Sequence, residues 1–125
     1  MRRFAVFAGL IAVAGAAEAA AAAIDLSKPH GNKSGCLNKD GQQVYAEDML
    51  LLTRTELVTA VSACAITDKV ANKDGSLTLK TECEMEGEEG RTPATFTVAP
   101  GKKNPKRLTI SDETGFVISE VALCQ

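Results

Sequence analysis

Four cysteines are the residues of this chain with the clearest capacity for covalent chemistry. They are Cys36, Cys64, Cys83 and Cys124 in a sequence of 125 residues. An even number of cysteines in a small exported protein is typical of a disulfide framework, whereas redox enzymes favour a Cys-x-x-Cys pair, which this spacing lacks. We therefore expect two structural disulfides, and no reactive thiol, catalytic cysteine or zinc ligand.

An acidic run is the strongest charge feature. Glutamates occupy every second position of this run, and its last two members are adjacent: Glu82, Glu84, Glu86, Glu88 and Glu89. A spacing of two places the first three carboxylates on the same face of a β-strand. Such a face binds a cation or a basic partner, or it is a solvated face whose charges protect an edge strand from aggregation. We treat Glu82, Glu84, Glu86 and Glu88 as a candidate acidic interaction face.

Other residue types that support catalysis or cofactor binding are sparse. The single histidine, His30, lies beside a proline in a polar segment, which favours an exposed linker histidine over a catalytic one. No nucleophile-elbow, P-loop or dinucleotide-binding motif occurs in the sequence. The two Asn-Lys-Asp-Gly segments lack an acid at the first position of a calcium loop, so they are interpreted as turns. The sequence thus indicates no catalytic residue, no metal site and no cofactor.

The first 23 residues have the pattern of a secretory signal peptide. A short positive start is followed by an apolar segment over 4–14 and by small residues that satisfy the Ala-x-Ala rule at 17–19 and 21–23. The alternative, an uncleaved membrane anchor, is disfavoured because Glu18 interrupts the apolar run and no positive stop-transfer cluster follows. We expect a periplasmic or secreted protein without permanent membrane insertion.

The remaining chain divides into a leader and one domain. Residues 24–35 are polar and contain Pro29, Gly31 and Gly35, which predicts a flexible leader, and 36–125 are predicted to form a single disulfide-linked domain. Removing Arg2, Arg3 and Glu18 with the signal peptide changes the formal net charge from −2 to −3. This balance excludes a nucleic-acid binder that works through a strong positive field.

The domain is predicted to be mostly β. Apolar and polar residues alternate along 77–86 and 94–98. Leu108 and Ile110 follow a loop over 100–105, and the segment 116–124 closes the chain after a turn over 112–115. This pattern is typical of a small antiparallel meander, folded as a sandwich or an open barrel, with Phe96 and Phe116 in its core. Residues 53–62 fit two structures: a short helix begun by a capping box at Thr53, or a strand broken near Ala60.

A hairpin predicts the disulfide pairing. Asn72-Lys73-Asp74-Gly75 has the composition of a four-residue hairpin loop. A strand register set by that loop pairs Cys64 with Cys83, Ile66 with Thr81 and Val70 with Leu77, and a bulge or a shifted loop is the alternative. Pairing Cys64 with Cys83 leaves Cys36 to pair with Cys124 near the two ends of the domain.

The cysteine layout resembles a group of small exported proteobacterial proteins of uncharacterised function. The matching residues are Cys64-Ala65-Ile66, the segment 83–88 with its Glu-Gly-Glu, and Cys124-Gln125. This resemblance implies a periplasmic location. A looser similarity to the C-type lysozyme-inhibitor barrels rests on Cys36 followed by Asp40-Gly41.

Three hypotheses of function follow from these features. The first is a non-enzymatic binding or envelope-support module whose partner is another envelope protein. The second is an inhibitor of an attacking hydrolase such as lysozyme. The third is a hydrolase of a type that the sequence motifs do not reveal.

Overall fold

The described part of the chain forms a closed antiparallel β-barrel. A computed structural model describes residues 24–125, and the predicted signal peptide over 1–23 lies outside the described residues. Eight strands follow one another around the barrel, and the first pairs with the last. They are β1 (His30–Gly31), β2 (Leu50–Leu52), β3 (Glu56–Thr59), β4 (Ser62–Ala71), β5 (Leu77–Met85), β6 (Thr92–Pro100), β7 (Arg107–Ser111) and β8 (Val117–Leu123). A single helical turn, α1 (Lys33–Cys36), follows β1. The mostly β prediction is confirmed, and the meander closes completely.

The barrel interior is filled by one side of each strand. In β5, Leu79, Thr81 and Cys83 are buried, whereas Lys80 and Glu84 between and beyond them are exposed. This is the alternation expected when one face of a sheet packs on a core and the other faces water. The buried apolar cluster draws on seven of the strands and on the chain before β1: Leu26, Leu50, Leu52, Leu57, Cys64, Leu79, Cys83, Val98, Leu108, Ile110 and Val121.

The predicted hairpin register holds for half of the hairpin. Cys64 pairs with Cys83 and Ile66 pairs with Thr81, as expected. A bulge at Thr67 then shifts the register, so that Val70 lies opposite Thr78 and not opposite Leu77. The β4–β5 loop accordingly spans 72–76, one residue longer than predicted. The extra residue of a bulge exchanges the faces of the residues beyond it, which is why Val70 is exposed.

Residues 53–62 contain a strand and no helix. β3 ends at Thr59, a turn follows at Ala60, and β4 begins at Ser62, so the prediction of a strand broken near Ala60 is confirmed and the helical alternative is wrong. The hydroxyl oxygen of Thr53 accepts hydrogen bonds from the backbone N–H groups of Thr55 and Glu56 at 3.3 and 3.2 Å. The capping-box residues therefore stabilise a turn between β2 and β3 in place of a helix.

The predicted flexible leader contains a closing element of the barrel. His30 and Gly31 of β1 pair with β2 on one side and with β8 on the other, and both are buried. The expectation of an exposed linker histidine is wrong: the Nδ1 atom of His30 lies 3.0 Å from the carbonyl oxygen of Lys28. A two-residue strand carries no periodic signal in the sequence, because two residues do not define an alternation.

α1 lies against β2 through Asn32. The side-chain oxygen of Asn32 accepts hydrogen bonds from the backbone N–H groups of Gly35 at 2.7 Å and of Leu50 at 3.1 Å. The first contact caps the helical turn and the second joins it to the barrel. Gly35 is buried in this contact, and a Cβ atom added to it would overlap the carbonyl oxygen of Leu50.

We expect Gly35→Ala to destabilise the protein by about 1–3 kcal/mol, because α1 must move away from β2 to accommodate the methyl group. The matched control is Lys33→Ala, which changes an exposed position of the same helical turn. Urea denaturation of both variants measures the difference. Equal stability of the two variants would contradict the close approach of Gly35 to Leu50.

Two disulfides link the described chain, as predicted. Cys64 and Cys83 join β4 to β5 inside the barrel, with an S–S distance of 2.03 Å. Cys36 and Cys124 join the end of α1 to the residue after β8, with an S–S distance of 2.06 Å. The second disulfide therefore lies beside β1, at the seam where the last strand meets the first.

Candidate binding site at the open end of the barrel

The antiparallel topology gathers alternate connections at opposite ends of the barrel. One end, called the open end, consists of the last four residues of the β1–β2 connection, the β3–β4 turn, the β5–β6 loop and the β7–β8 loop, which are 46–49, 60–61, 86–91 and 112–116. The other, called the capped end, consists of the residues before β1 and the β2–β3, β4–β5 and β6–β7 connections, which are 24–29, 53–55, 72–76 and 101–106.

The capped end is closed by the chain that precedes β1. Leu26 is 6% exposed and belongs to the core cluster, and Ile24 packs against that cluster. The carboxylate of Asp25 accepts a hydrogen bond of 2.8 Å from the backbone N–H of Ser27, and this bond holds the pKa of Asp25 below its ordinary value. The polar segment that follows the predicted signal peptide thus supplies an apolar plug.

The open end contains a cavity that we call the mouth. Its volume is about 440 Å³, which falls within the range of small-ligand sites. The inner lining comes from six strands: Leu50, Leu57, Cys64, Cys83, Ala94, Phe96 and Ile118. The rim is more polar and includes Thr59, Ser62, Met85, Glu88, Thr92 and Asp112. The mouth is therefore an apolar recess with a mixed rim.

The polar groups next to the mouth are satisfied within the protein. The hydroxyl group of Thr81 donates a hydrogen bond of 2.8 Å to the carbonyl oxygen of Ala94, and the hydroxyl groups of Thr59 and Ser62 lie 2.7 Å apart. Across residues 24–125, no buried side-chain nitrogen or oxygen atom lacks a hydrogen-bond partner. The recess therefore offers a ligand apolar contact, and polar contact comes from the rim.

Asp112 on the rim is engaged by its own turn. Its carboxylate accepts hydrogen bonds from the Thr114 hydroxyl at 2.7 Å and from the backbone N–H groups of Thr114 and Phe116 at 2.9 and 3.1 Å. The side-chain bond from Thr114 is the main cause that lowers the pKa of Asp112, so this carboxylate stays ionised at neutral pH. Glu88, on the same rim, makes no side-chain hydrogen bond within the described chain.

The structure divides the candidate acidic face into two groups. Glu82 and Glu84 lie on the outer surface of β5, where Glu84 forms an exposed ion pair of 3.1 Å with Arg91. Glu86 and Glu88 lie in the β5–β6 loop at the open end, and Glu88 lines the mouth. β5 pairs with β4 and β6, so its charges do not protect an edge strand.

Phe116 is a correction to the predicted core. It is the last residue of the β7–β8 loop, and its backbone N–H donates a hydrogen bond to the Asp112 carboxylate. Because it belongs to this loop and not to β8, its side chain is 68% exposed. Phe96, by contrast, is half-buried and lines the mouth. The open end therefore exposes an aromatic ring in a loop beside an apolar recess.

Several residues of the site carry no functional signal in the sequence. In the sequence, Leu50 and Leu57 have the pattern of ordinary core residues, and Ile118 is one of several apolar residues of a strand. A register shift between β7 and β8 leaves Ile118 without a partner in β7, and it lines the mouth. Alternation along each strand identifies inward-facing residues, but it does not show at which end the interior stays open.

Comparisons with known proteins do not assign this chain to a family. Neither a protein-family model, nor a curated protein, nor a solved structure matches the chain. Over residues 24–125, no helix has the length and apolar character needed to cross a membrane. The same residues contain no cluster of three or more histidine, cysteine, aspartate or glutamate side chains arranged to hold a metal ion.

Proposed function

We propose that this chain is a non-enzymatic binding protein, exported to the periplasm or secreted, that holds an apolar side chain of a partner protein in the mouth. The observation that carries the proposal is the apolar recess of about 440 Å³ at the open end of the barrel. Its inner surface is formed by apolar side chains and by the Cys64–Cys83 disulfide. Transfer of an apolar group from water into this recess is favourable, because no polar group of the inner surface has to give up a hydrogen bond.

Exposed apolar residues around the mouth support the proposal. Val61, Met85, Phe116 and Ile118 belong to the open-end connections or adjoin them, and all four are exposed. A concentration of exposed apolar side chains next to a recess is typical of an interaction site. The predicted signal peptide and the two disulfides support an exported location, where the partner would be another exported or envelope protein.

The titratable groups of the mouth favour binding over catalysis. Its lining holds two of them, Glu88 and Asp112. Asp112 accepts hydrogen bonds from its own turn, which leaves Glu88 alone as a candidate proton donor or acceptor. General acid–base catalysis needs a titratable group that is free to reach the substrate and is tuned for proton transfer, and the pKa of Asp112 is shifted away from neutrality.

The test uses the neutral fluorescent probe N-phenyl-1-naphthylamine. We expect its emission to rise on binding to the protein and to fall by about tenfold in Ala94→Trp, in which the indole fills the mouth. The control is Ala65→Trp, at an exposed position on the outer surface of β4. A second pair, Ile118→Gln and Val70→Gln, compares residues that are 39% and 42% exposed, of which only Ile118 lines the mouth.

Circular dichroism establishes that each variant is folded before binding is compared. Capture of exported proteins with the wild type, Ala94→Trp and Ala65→Trp then extends the test to the partner. A protein retained by the wild type and by Ala65→Trp, and lost with Ala94→Trp, supports the proposal. Equal probe binding by all folded variants would overturn it.

A further inference from the structure

We infer that the partner segment that docks at the mouth is cationic: a lysine- or arginine-rich peptide segment that carries one apolar side chain. The inference rests on the proposed function of the mouth and adds the charge of its occupant. It follows from the distribution of charged residues between the two ends of the barrel.

The open end is strongly acidic. Its four segments contain seven acidic residues and one basic residue, Arg91. α1 adds Lys33 beside these segments, between Asn32 and Ser34, which both donate hydrogen bonds to Asp48. The acidic residues are Glu47, Asp48, Glu86, Glu88, Glu89, Asp112 and Glu113. Arg91 is itself paired with Glu84 on the outer surface of β5, so it does not offset the charge of the rim.

The capped end has the opposite charge. Its four segments contain six basic residues and two acidic ones, Asp25 and Asp74. The basic residues are Lys28, Arg54, Lys73, Lys102, Lys103 and Lys106. A separation of charge along the barrel axis orients an approaching cation toward the mouth and an approaching anion away from it.

Most of the acidic groups at the open end lack a counter-charge within residues 24–125. The two ion pairs of that part of the chain, Arg91–Glu84 and Arg107–Glu120, include none of the seven. Asp48 accepts a hydrogen bond of 2.9 Å from the hydroxyl group of Ser34, and Asp112 is held by its own turn. The other five make no side-chain hydrogen bond in the described chain, so their carboxylates are available to a partner.

The apolar recess and the acidic rim of the open end together specify the chemistry of the occupant. The recess takes an apolar side chain, and the acidic rim favours basic residues on either side of that side chain. A peptide with an apolar anchor but acidic flanks would bring like charges together at the rim, which opposes binding. A second copy of this chain is a competing occupant, because its capped end is basic.

The test compares three peptides of equal length by isothermal titration calorimetry. One carries lysines on both sides of a single leucine, the second has glutamates in place of the lysines, and the third has glycine in place of the leucine. We expect the first to bind about tenfold more tightly than either of the others, and about tenfold less tightly when NaCl rises from about 0.05 M to about 0.5 M.

Matched charge variants assign the effect to the rim. Glu86→Gln with Glu88→Gln is expected to weaken binding of the lysine–leucine peptide by about tenfold. The control, Glu56→Gln with Asp68→Asn, removes two exposed carboxylates that lie outside the open end, and it is expected to leave the affinity unchanged. Neither pair removes a group that makes an ion pair in the described chain.

Separate outcomes distinguish this inference from the proposed function. If the neutral probe binds in the mouth but the lysine and glutamate peptides bind equally, the cationic partner is overturned and the binding site stands. If the probe does not bind in the mouth, the proposed function itself fails. Salt-sensitive self-association in sedimentation velocity, abolished by Glu86→Gln with Glu88→Gln, would assign the open end to a second copy and would also overturn the inference.

Discussion

Replacing Cys36 and Cys124 by alanine is expected to lower the free energy of unfolding by about 4 kcal/mol, because a long loop of the unfolded chain is released. The disulfide joins residues 88 positions apart, nearly the whole described chain. It also lies beside β1, the short strand that closes the barrel between β2 and β8. Its loss should therefore raise the conformational entropy of the unfolded chain, and it should weaken the folded chain where β1 pairs with β2 and β8.

The control for this prediction is replacement of Cys64 and Cys83 by alanine. These residues are 19 positions apart, so the entropic part of the loss is expected to be smaller, about 3 kcal/mol. Urea denaturation gives both the free energy and its dependence on urea concentration. That dependence should increase more when the longer loop is released, since the unfolded chain then exposes more surface. An unchanged dependence in the Cys36 and Cys124 variant would contradict the loop-entropy explanation.

Leu57→Ala is expected to cost about 2–5 kcal/mol of stability and to enlarge the mouth. Leu57 is 1% exposed, and its side chain belongs both to the core cluster and to the mouth lining. Removing it deletes apolar contacts and leaves a space continuous with the recess. We therefore expect the variant to lose stability and to bind larger apolar probes than the wild type does.

Leu79→Ala separates these two effects. Leu79 is fully buried in the same cluster but does not line the mouth. We expect a similar loss of stability, measured by thermal unfolding, without a change in the size of the probe that binds. A change of probe binding in both variants, or in neither, would show that Leu57 does not limit the recess.

The hairpin around Cys64 and Cys83 is the part of the fold that the sequence specifies most directly. Its two long strands, a loop with asparagine, aspartate and glycine, and the cysteine pair all indicate one register. The bulge at Thr67 could be anticipated only as an alternative, because its position depends on packing across the barrel. Local patterns therefore predict the pairing of neighbouring strands and do not place irregularities within them.

The segment from 24 to 53 is the least predictable part. β1 and β2 have two and three residues, too few for a periodic pattern. They form strands because β8 and β3 offer them backbone partners and because Gly35 allows α1 to lie on Leu50. The acidic residues were evident in the sequence, but the mouth combines side chains from distant strands, and its open end depends on the assembled barrel.

The shortness of β1 has a consequence for cooperativity. A strand of two residues is held by few backbone hydrogen bonds, so its separation from β2 and β8 requires less free energy than global unfolding. Such an opening would convert the barrel into a curled sheet with two free edges. The Cys36–Cys124 disulfide keeps the separated segment at a high effective concentration near β8, because it attaches the end of α1 to the residue after that strand. Reclosure is then an intramolecular step, and the free edges are short-lived.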